Sequence, residues 1–576
     1  MFSLKQDALL LSLRPIEGIS LVPNFNNTRT WSQVDAELVK ELYLQSEQAF
    51  RADPSVLTAG AFRNYVQSGE CAYLDEYTKR REMLKRMILG ACVSHTDRYV
   101  QKMGDLIYLI AEESDWSLYK DDRQYPDFSI RKPDVNACET GALLALCLCM
   151  MGAQLDRVSP LIGARIRYEL GRRLIEPMIT QEGELLNAKD EQLPAAVAAL
   201  MTVTLVDERD ERRRWLCLRR LIRILESYLR ALPEAGGFDA GLNAYVRSAL
   251  CIDDCFAMLG VASGGEVELR DEALFVNMAR VIVGTYIGNG YFINPGGDSA
   301  TPDLSADQLY RLGGDARLQS LCSLAACLFR REKARAMPSI TTKTEPLMQS
   351  VMAALGRKDL TREAIREPLT DQIELPGLPL LAARMEDFYV AITGVSNQGA
   401  RTHMDVGDIA LFYQDQPVVL SDCASNAARD HSVPRIGQTE QQLGGDFALD
   451  SECREGPGYR MLSMNIAPGY PRSARLQCYQ RTLMLASFEG GIRLMDVFDF
   501  DGQAQAVTFR FITCHMPVVS EGQVVIGPIV MTFDPMLTVR FESISSNSPR
   551  YRLELTMPDA VHSGNYAFVL RPLADG

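Results

Sequence analysis

Residues 394–441 read GVSNQGARTHMDVGDIALFYQDQPVVLSDCASNAARDHSVPRIGQTEQ and hold two of the chain's five histidines, His403 and His431. Between them, Asp408 to Ser421 has the pattern of a β-hairpin. Ile409, Leu411 and Tyr413 alternate with Ala410 and Phe412, Asp415 and Gln416 interrupt, and Pro417 to Leu420 runs back. The turn returns Asp422 to the end of the hairpin from which His403 enters, and His431 follows within reach of a loop. Two imidazoles and one carboxylate make a zinc set that leaves a fourth position for water. The same residues also read as a surface loop with two ordinary histidines, because His-Asp-His without cysteine is a loose metal pattern.

The β pattern of this stretch continues to the C-terminus. FYVAITGV, MLSMNIA, QRTLMLASF, IRLMDVFDF, AVTFRFITC, VVIGPIVMTF, LTVRFESI, YRLELTM and YAFVLRP follow one another, separated by Gly, Asp, Asn or Pro turns. Short strands so punctuated predict antiparallel sheets stacked as a sandwich. Toward the N-terminus, Pro368, Pro376 and Pro379 mark a linker. Before about Arg366 the apolar spacing is helical almost throughout, as in Glu139 to Met151, Pro194 to Leu205, Leu242 to Leu259, Glu272 to Ile287 and Ala306 to Arg331. The expected organisation is a helical array of incomplete (α/α) toroid type over residues 1–370, then an antiparallel β-sandwich over 371–576. No fixed-period repeat marks a regular solenoid.

Composition narrows the function. The net charge of −14 argues against a general nucleic-acid or anionic-membrane binder and is awkward for a protein that takes acidic sugars. Fourteen cysteines show no CxxC pair, so buried free thiols in a reducing compartment are expected. No signal-peptide pattern opens the chain, and no eighteen-residue apolar run free of charge occurs. The expected location is cytoplasmic.

THMDVGDIALFYQDQPVVLSD followed by HSVPRIGQTEQ resembles the signature of the heparinase II/III-like polysaccharide lyases. In that family an HxHxDxG segment opens a strand, a carboxylate ends the hairpin, and an HNxP segment completes the metal site. His403 with Asp405 and Gly407 matches half of the first segment, Asp422 the carboxylate, and His431 with Pro434 the third. Arg401 stands where the family has its first histidine. ETGALLALCLCMMG, GYFINPGGDS and LSMNIAPGYP also resemble recurring family segments.

The resemblance implies β-elimination on a uronic-acid glycan. The sugar carboxylate must be quenched as the C5 proton leaves. A base takes that proton and an acid protonates the leaving oxygen. Tyr245, in GGFDAGLNAYVRSAL, is the catalytic candidate; the alternative is an aromatic on a helix face. The family's Asn-Trp pair is absent around Asp190 to Ala195, and Asp121 stands in place of the histidine expected after Trp116. Arg401, Arg429 and Arg435 are candidates to hold a sugar carboxylate bidentately, and Tyr291 and Asp298 to line a cleft between the domains; exposed charges and a turn are the alternatives. The implied zinc, on His403, Asp422 and His431, is structural. Expected partners are an acidic oligosaccharide or polysaccharide and, at most, a second copy of the chain. A second reading is a catalytically altered or inactive family member that binds a glycan or protein through the cleft. A third is a carboxylate-pair glycosidase drawing on Asp239.

Overall fold

The computed structural model describes residues 12–118, 125–126, 132–181, 186, 190–233, 236, 241–334, 345–374, 379–398, 403–421, 425–545 and 549–573. The chain forms two compact units. One comprises Met1–Leu232, Arg247–Ala279 and Leu304–Arg366; the other comprises Pro233–Val246, Arg280–Asp303 and Glu367–Gly576. The fold is a helical toroid followed in sequence by antiparallel sheets.

The helical unit is built around Val135–Val158. Its start is fixed by Asp134, whose carboxylate accepts from the backbone N–H of Ala137 at 2.9 Å, a cap of the kind that contributes about 1 kcal/mol. This helix is long and apolar enough to cross a membrane by length and composition alone, yet 72% of its most apolar window is buried against its neighbours, which is how a core helix behaves. It packs on Leu193–Asp207, another helix apolar on every side. The predicted helix Ala306 to Arg331 is two, Ala306–Asp315 and Gln319–Ala334. Arg317 turns the chain between them at φ 52°, and Gly313 lets the second helix approach to within contact of its backbone. The helix expected to reach Ile287 ends at Gly284, and Tyr286–Gly288 pairs with Tyr291–Phe292 instead.

Among the described residues the second unit carries two large sheets. One runs Val518–Ser520, Gln523–Ile526, Ile529–Thr532, Ser563–Pro572, Gly491–Phe500, Leu476–Ala486, Tyr459–Asn465, Leu449–Gly456 from edge to edge. The other runs Thr538–Ser545, Arg550–Thr556, Val507–Thr513, Gln416–Val419, Asp408–Tyr413, Phe388–Thr393, Leu380–Met385, Gln372–Glu374. Alternate residues of both sheets fill one core: Leu483, Leu494, Phe498 and Phe568 from the first meet Val390, Leu411, Phe509 and Phe511 from the second. The proline-marked linker is shorter than its composition predicts, because Leu380–Met385 forms a hairpin with Phe388–Thr393.

One ion pair lies inside this core. Arg481 and Asp496, neighbours on adjacent strands of the first sheet, are essentially buried, and Arg481 Nε and Nη2 donate to the two carboxylate oxygens at 2.9 and 2.7 Å. The hydroxyl of Tyr479 donates to the same carboxylate at 3.0 Å. Arg481 Nη1 donates to the carbonyls of Gly407 and Ser432, both at 2.8 Å. Those carbonyls belong to the loops that carry the two histidines.

Candidate metal centre

The hairpin expected between the histidines is Asp408–Tyr413 paired with Gln416–Val419, and Gln414 and Asp415 turn it in the left-handed region. On its other side Asp408–Tyr413 pairs with Phe388–Thr393, placing Asp408 opposite Thr393. The loop between those two strands brings in His403 and Asp405. It closes at Gly407, whose φ of 90° and whose contact with Ile466, 2.8 Å from where a Cβ would sit, both demand glycine. His431 enters after a short 3-10 turn, Ala428–Asp430.

The rings of His403 and His431 lie 5.3 Å apart, centroid to centroid. With Asp405 they offer three ligand atoms within 4.8 Å of one another. The three line a cavity of about 50 Å³ together with Asp408, Thr393 and Asn294. Asn294 comes from the GNGYFINPGGDS loop, whose amide is fixed by the N–H of Leu242 at 2.7 Å and the carbonyl of Ser299 at 2.6 Å.

Asp408 organises the site. Its Oδ1 accepts from Ser432 N–H and Ser421 Oγ, both at 2.7 Å, and from its neighbour Ile409 at 3.0 Å; Oδ2 faces His431 Nδ1 at 3.4 Å. One carboxylate thus ties together the start of the hairpin, its return and the histidine loop. The other His431 nitrogen, Nε2, is 2.8 Å from the carbonyl of Ser425, to which it donates. Gln441 holds the His403 loop from the far side, accepting from Val406 N–H at 3.0 Å and donating to its carbonyl at 2.7 Å.

The electrostatics follow from burial and this wiring. Burial pushes His431 down, but the Asp408 hydrogen bond and the charges of Asp408 and Asp405 outweigh it and carry its pKa to about 9. Burial and the neighbouring His431 hold His403 below its usual value, against the pull of Asp408 and Asp298. Burial, then the Asp408 charge, raise Asp405 to about 7 in spite of His431.

This donor set fits a tetrahedral cation. Zinc takes imidazole and carboxylate at about 2 Å, and a histidine ligand ordinarily has a carboxylate behind its other nitrogen. Asp408 is that carboxylate for His431, which would bind through Nε2 on releasing Ser425. The buried hydroxyl of Thr393, without a hydrogen-bond partner, lines the same cavity.

The other expected residues are placed as follows. Asp422 and Arg401 lie outside the described residues, as do Asp121 and Asp239. Arg429 is exposed, with Asp430 3.9 Å from its guanidinium. Arg435 is half-buried and donates to Thr508 Oγ1 at 3.3 Å. Tyr291 sets its ring edge-on against Phe412, 5.3 Å away, on a small apolar cluster. Tyr245 is buried and its hydroxyl donates to the carbonyl of Gly236 at 2.5 Å. Trp116 is buried, with its indole N–H on the carbonyl of Ile110. The sequence reading used Asp405 only as a motif residue and gave Asp408 and Thr393 no role. A charge opening an otherwise inward-facing apolar strand was the available signal for Asp408.

No family model matches the sequence, and no curated protein matches it. The structure is similar to solved polysaccharide lyases. A mutant of heparan sulfate lyase HepC from Pedobacter heparinus aligns with a TM-score of 0.58 and 11% identity, over 94% of this chain and 83% of that one. Heparinase III aligns at 0.58 and 13%, over 96% and 93%. A mutant chondroitin AC lyase from Streptomyces coelicolor aligns at 0.55 and 10%, over 98% and 83%. At such identities the likeness defines the fold, a polysaccharide-lyase fold of helical toroid and β-sandwich.

Proposed function

We propose that the protein is a carbon–oxygen lyase that cleaves a uronic-acid-containing glycan by β-elimination. The observation that carries this reading is the convergence of His403, His431 and Asp405 beside a hairpin, in a chain with the fold of lyases named for heparan sulfate and chondroitin. Elimination needs a base for the C5 proton, an acid for the leaving oxygen and positive charge beside the sugar carboxylate. Tyr245 is our candidate for proton transfer, which requires its hydroxyl to leave Gly236. Arg401, Arg429, Arg435 and Tyr291 are our candidates for contact with the sugar.

We also assign zinc to His403 and His431, with Asp405 as the carboxylate that the geometry offers and Asp422 as the one the sequence resemblance implies. Bound zinc supplies a fixed positive charge that braces the two loops. Asp408 orients His431 and Gln441 holds the backbone before Gly407, so the protein's part is to keep those loops in register.

One observation favours a second reading, a catalytically altered member that binds a glycan without cleaving it: the buried, hydrogen-bonded state of Tyr245. Incubation with a panel of acidic glycans separates the two. Elimination leaves an unsaturated uronate that absorbs in the near ultraviolet. Binding without that absorbance supports the altered member, and new reducing ends without it indicate hydrolysis. In a lyase, Tyr245→Phe abolishes turnover; full turnover in that variant removes Tyr245 from the chemistry.

A further inference from the structure

The strand Thr538–Ser545 is an edge of the second sheet. It pairs with Arg550–Thr556 on one side, and among the described residues nothing pairs with its other side. Such an edge offers unpaired backbone N–H and C=O groups to any extended chain, and proteins ordinarily shorten, cover or bend it. This edge is regular from Thr538 to Ser543, with its one irregularity after that, and Thr538, Arg540, Phe541, Glu542 and Ser543 are all exposed.

The two faces of the strand carry different chemistry. Val539 and Phe541 lie opposite Leu555 and Leu553, on the face that fills the core. Both leucines are fully buried, yet Phe541 is 44% exposed, an aromatic on the core face with no strand beyond it. On the other face charges alternate from strand to strand. Arg510 holds Glu554 at 2.9 Å, and Glu554 lies opposite Arg540. Arg540, exposed and in no ion pair among the described residues, ends that row. Beside it Glu542 bonds Arg552 on the neighbouring strand and keeps 65% of its side chain exposed. The edge thus ends in one cation and one anion flanking an uncovered aromatic.

That arrangement is its own complement. We propose that Thr538–Ser545 pairs antiparallel with the same strand of a second copy, about a two-fold axis at Phe541, joining two sandwiches through one continuous sheet. In this register the two Phe541 rings cover each other, and Arg540 of each copy lies opposite Glu542 of the other. The row Arg510–Glu554–Arg540 then continues into Glu542 and Arg552 of the second copy. Opposite residues of an antiparallel pair share a face, so the nearest alternative registers centre the axis on Arg540 or on Glu542. Each of those sets like charges against one another. The charge pattern therefore selects a second copy over an arbitrary extended segment.

Sedimentation of the full chain at about 50 μM should show a dimer, and a monomer there overturns the proposal. Arg540→Glu sets carboxylate against carboxylate twice and should raise the dissociation constant about ten-fold or more; a folded variant that associates like the parent overturns the proposal too. Cross-linking tests the register independently. Phe541→Cys brings two thiols together at the axis, so mild oxidation should link the copies well above the parent's background. Ser543→Cys, which faces Val539 of the second copy, should not. No excess linkage in Phe541→Cys, or equal linkage in both variants, overturns the pairing.

Discussion

Asp315 shows how a surplus charge is carried inside the helical unit. Asp253, Asp254 and Asp315 meet two guanidinium groups: Arg270 bridges Asp253 at 2.7 Å and Asp315 at 3.0 Å, and Arg311 bridges Asp253 at 3.1 Å and Asp254 at 2.8 Å. Three carboxylates against two cations leave room for a proton. Burial and then the Asp253 charge raise Asp315 to about 7. Its ordinary value is about 4, so the folded chain binds this proton more tightly than the unfolded chain does. The resulting stability is fully present below about pH 4 and is lost as pH rises through about 7. Asp315→Asn should therefore raise the melting temperature relative to the parent at pH 8 more than at pH 5. An equal or smaller difference at pH 8 would refute the three-to-two count. At the metal centre, Asp405→Asn and Asp422→Asn discriminate the carboxylate ligand. We expect metal analysis of the freshly purified parent to give about one equivalent of zinc, lost in His403→Ala. The carboxylate variant that also loses it names the ligand, and a parent without zinc removes the site.

At the scale of elements, the hairpin and its flanks were legible because their chemistry is local. Apolar alternation from Ile409 to Tyr413 and a polar interruption at Asp415 suffice for two strands. Leu449–Gly456 was not legible: it is an edge strand with little burial, LDSECREG, and an edge needs no apolar face. Val518–Ser520, exposed along its length, escaped for the same reason. Leu380–Met385 was masked by the prolines before it. The split at Ala316 depends on a left-handed arginine, which no periodicity reports. Gly407 is the element-level test. Gly407→Ala meets both an unfavourable φ and Ile466, so it should destabilise the sandwich by about 2 kcal/mol, measured by chemical denaturation. A change of only a few tenths would mean that the loop relaxes freely.

For the whole molecule, the order of helices then strands was readable because composition shifts once, near Arg366. The boundary in space was not, since Pro233–Val246 and Arg280–Asp303 join the β unit from within the helical stretch. The same excursion explains why Asn294 reaches the histidine cavity, a neighbourhood that sequence distance hides. The centre of the site was legible as two histidines and a motif. The wiring through Asp408, Gln441 and Arg481 was not, because each acts on backbone groups far along the chain.

Arg481 and Asp496 lie on one sheet, and the carbonyls of Gly407 and Ser432 belong to loops of the other. Arg481→Met leaves Asp496 buried without its counter-ion and should cost about 3–5 kcal/mol. The same dependence sets an order of events. Until the sandwich shuts, the two histidine loops lack the arginine bridge between their carbonyls, so a refolding chain should gain its affinity for a divalent ion late, in step with closure of the β half. Stopped-flow refolding with a zinc-sensitive dye would time that step, and uptake preceding closure would show that the ion, rather than the arginine, gathers the loops.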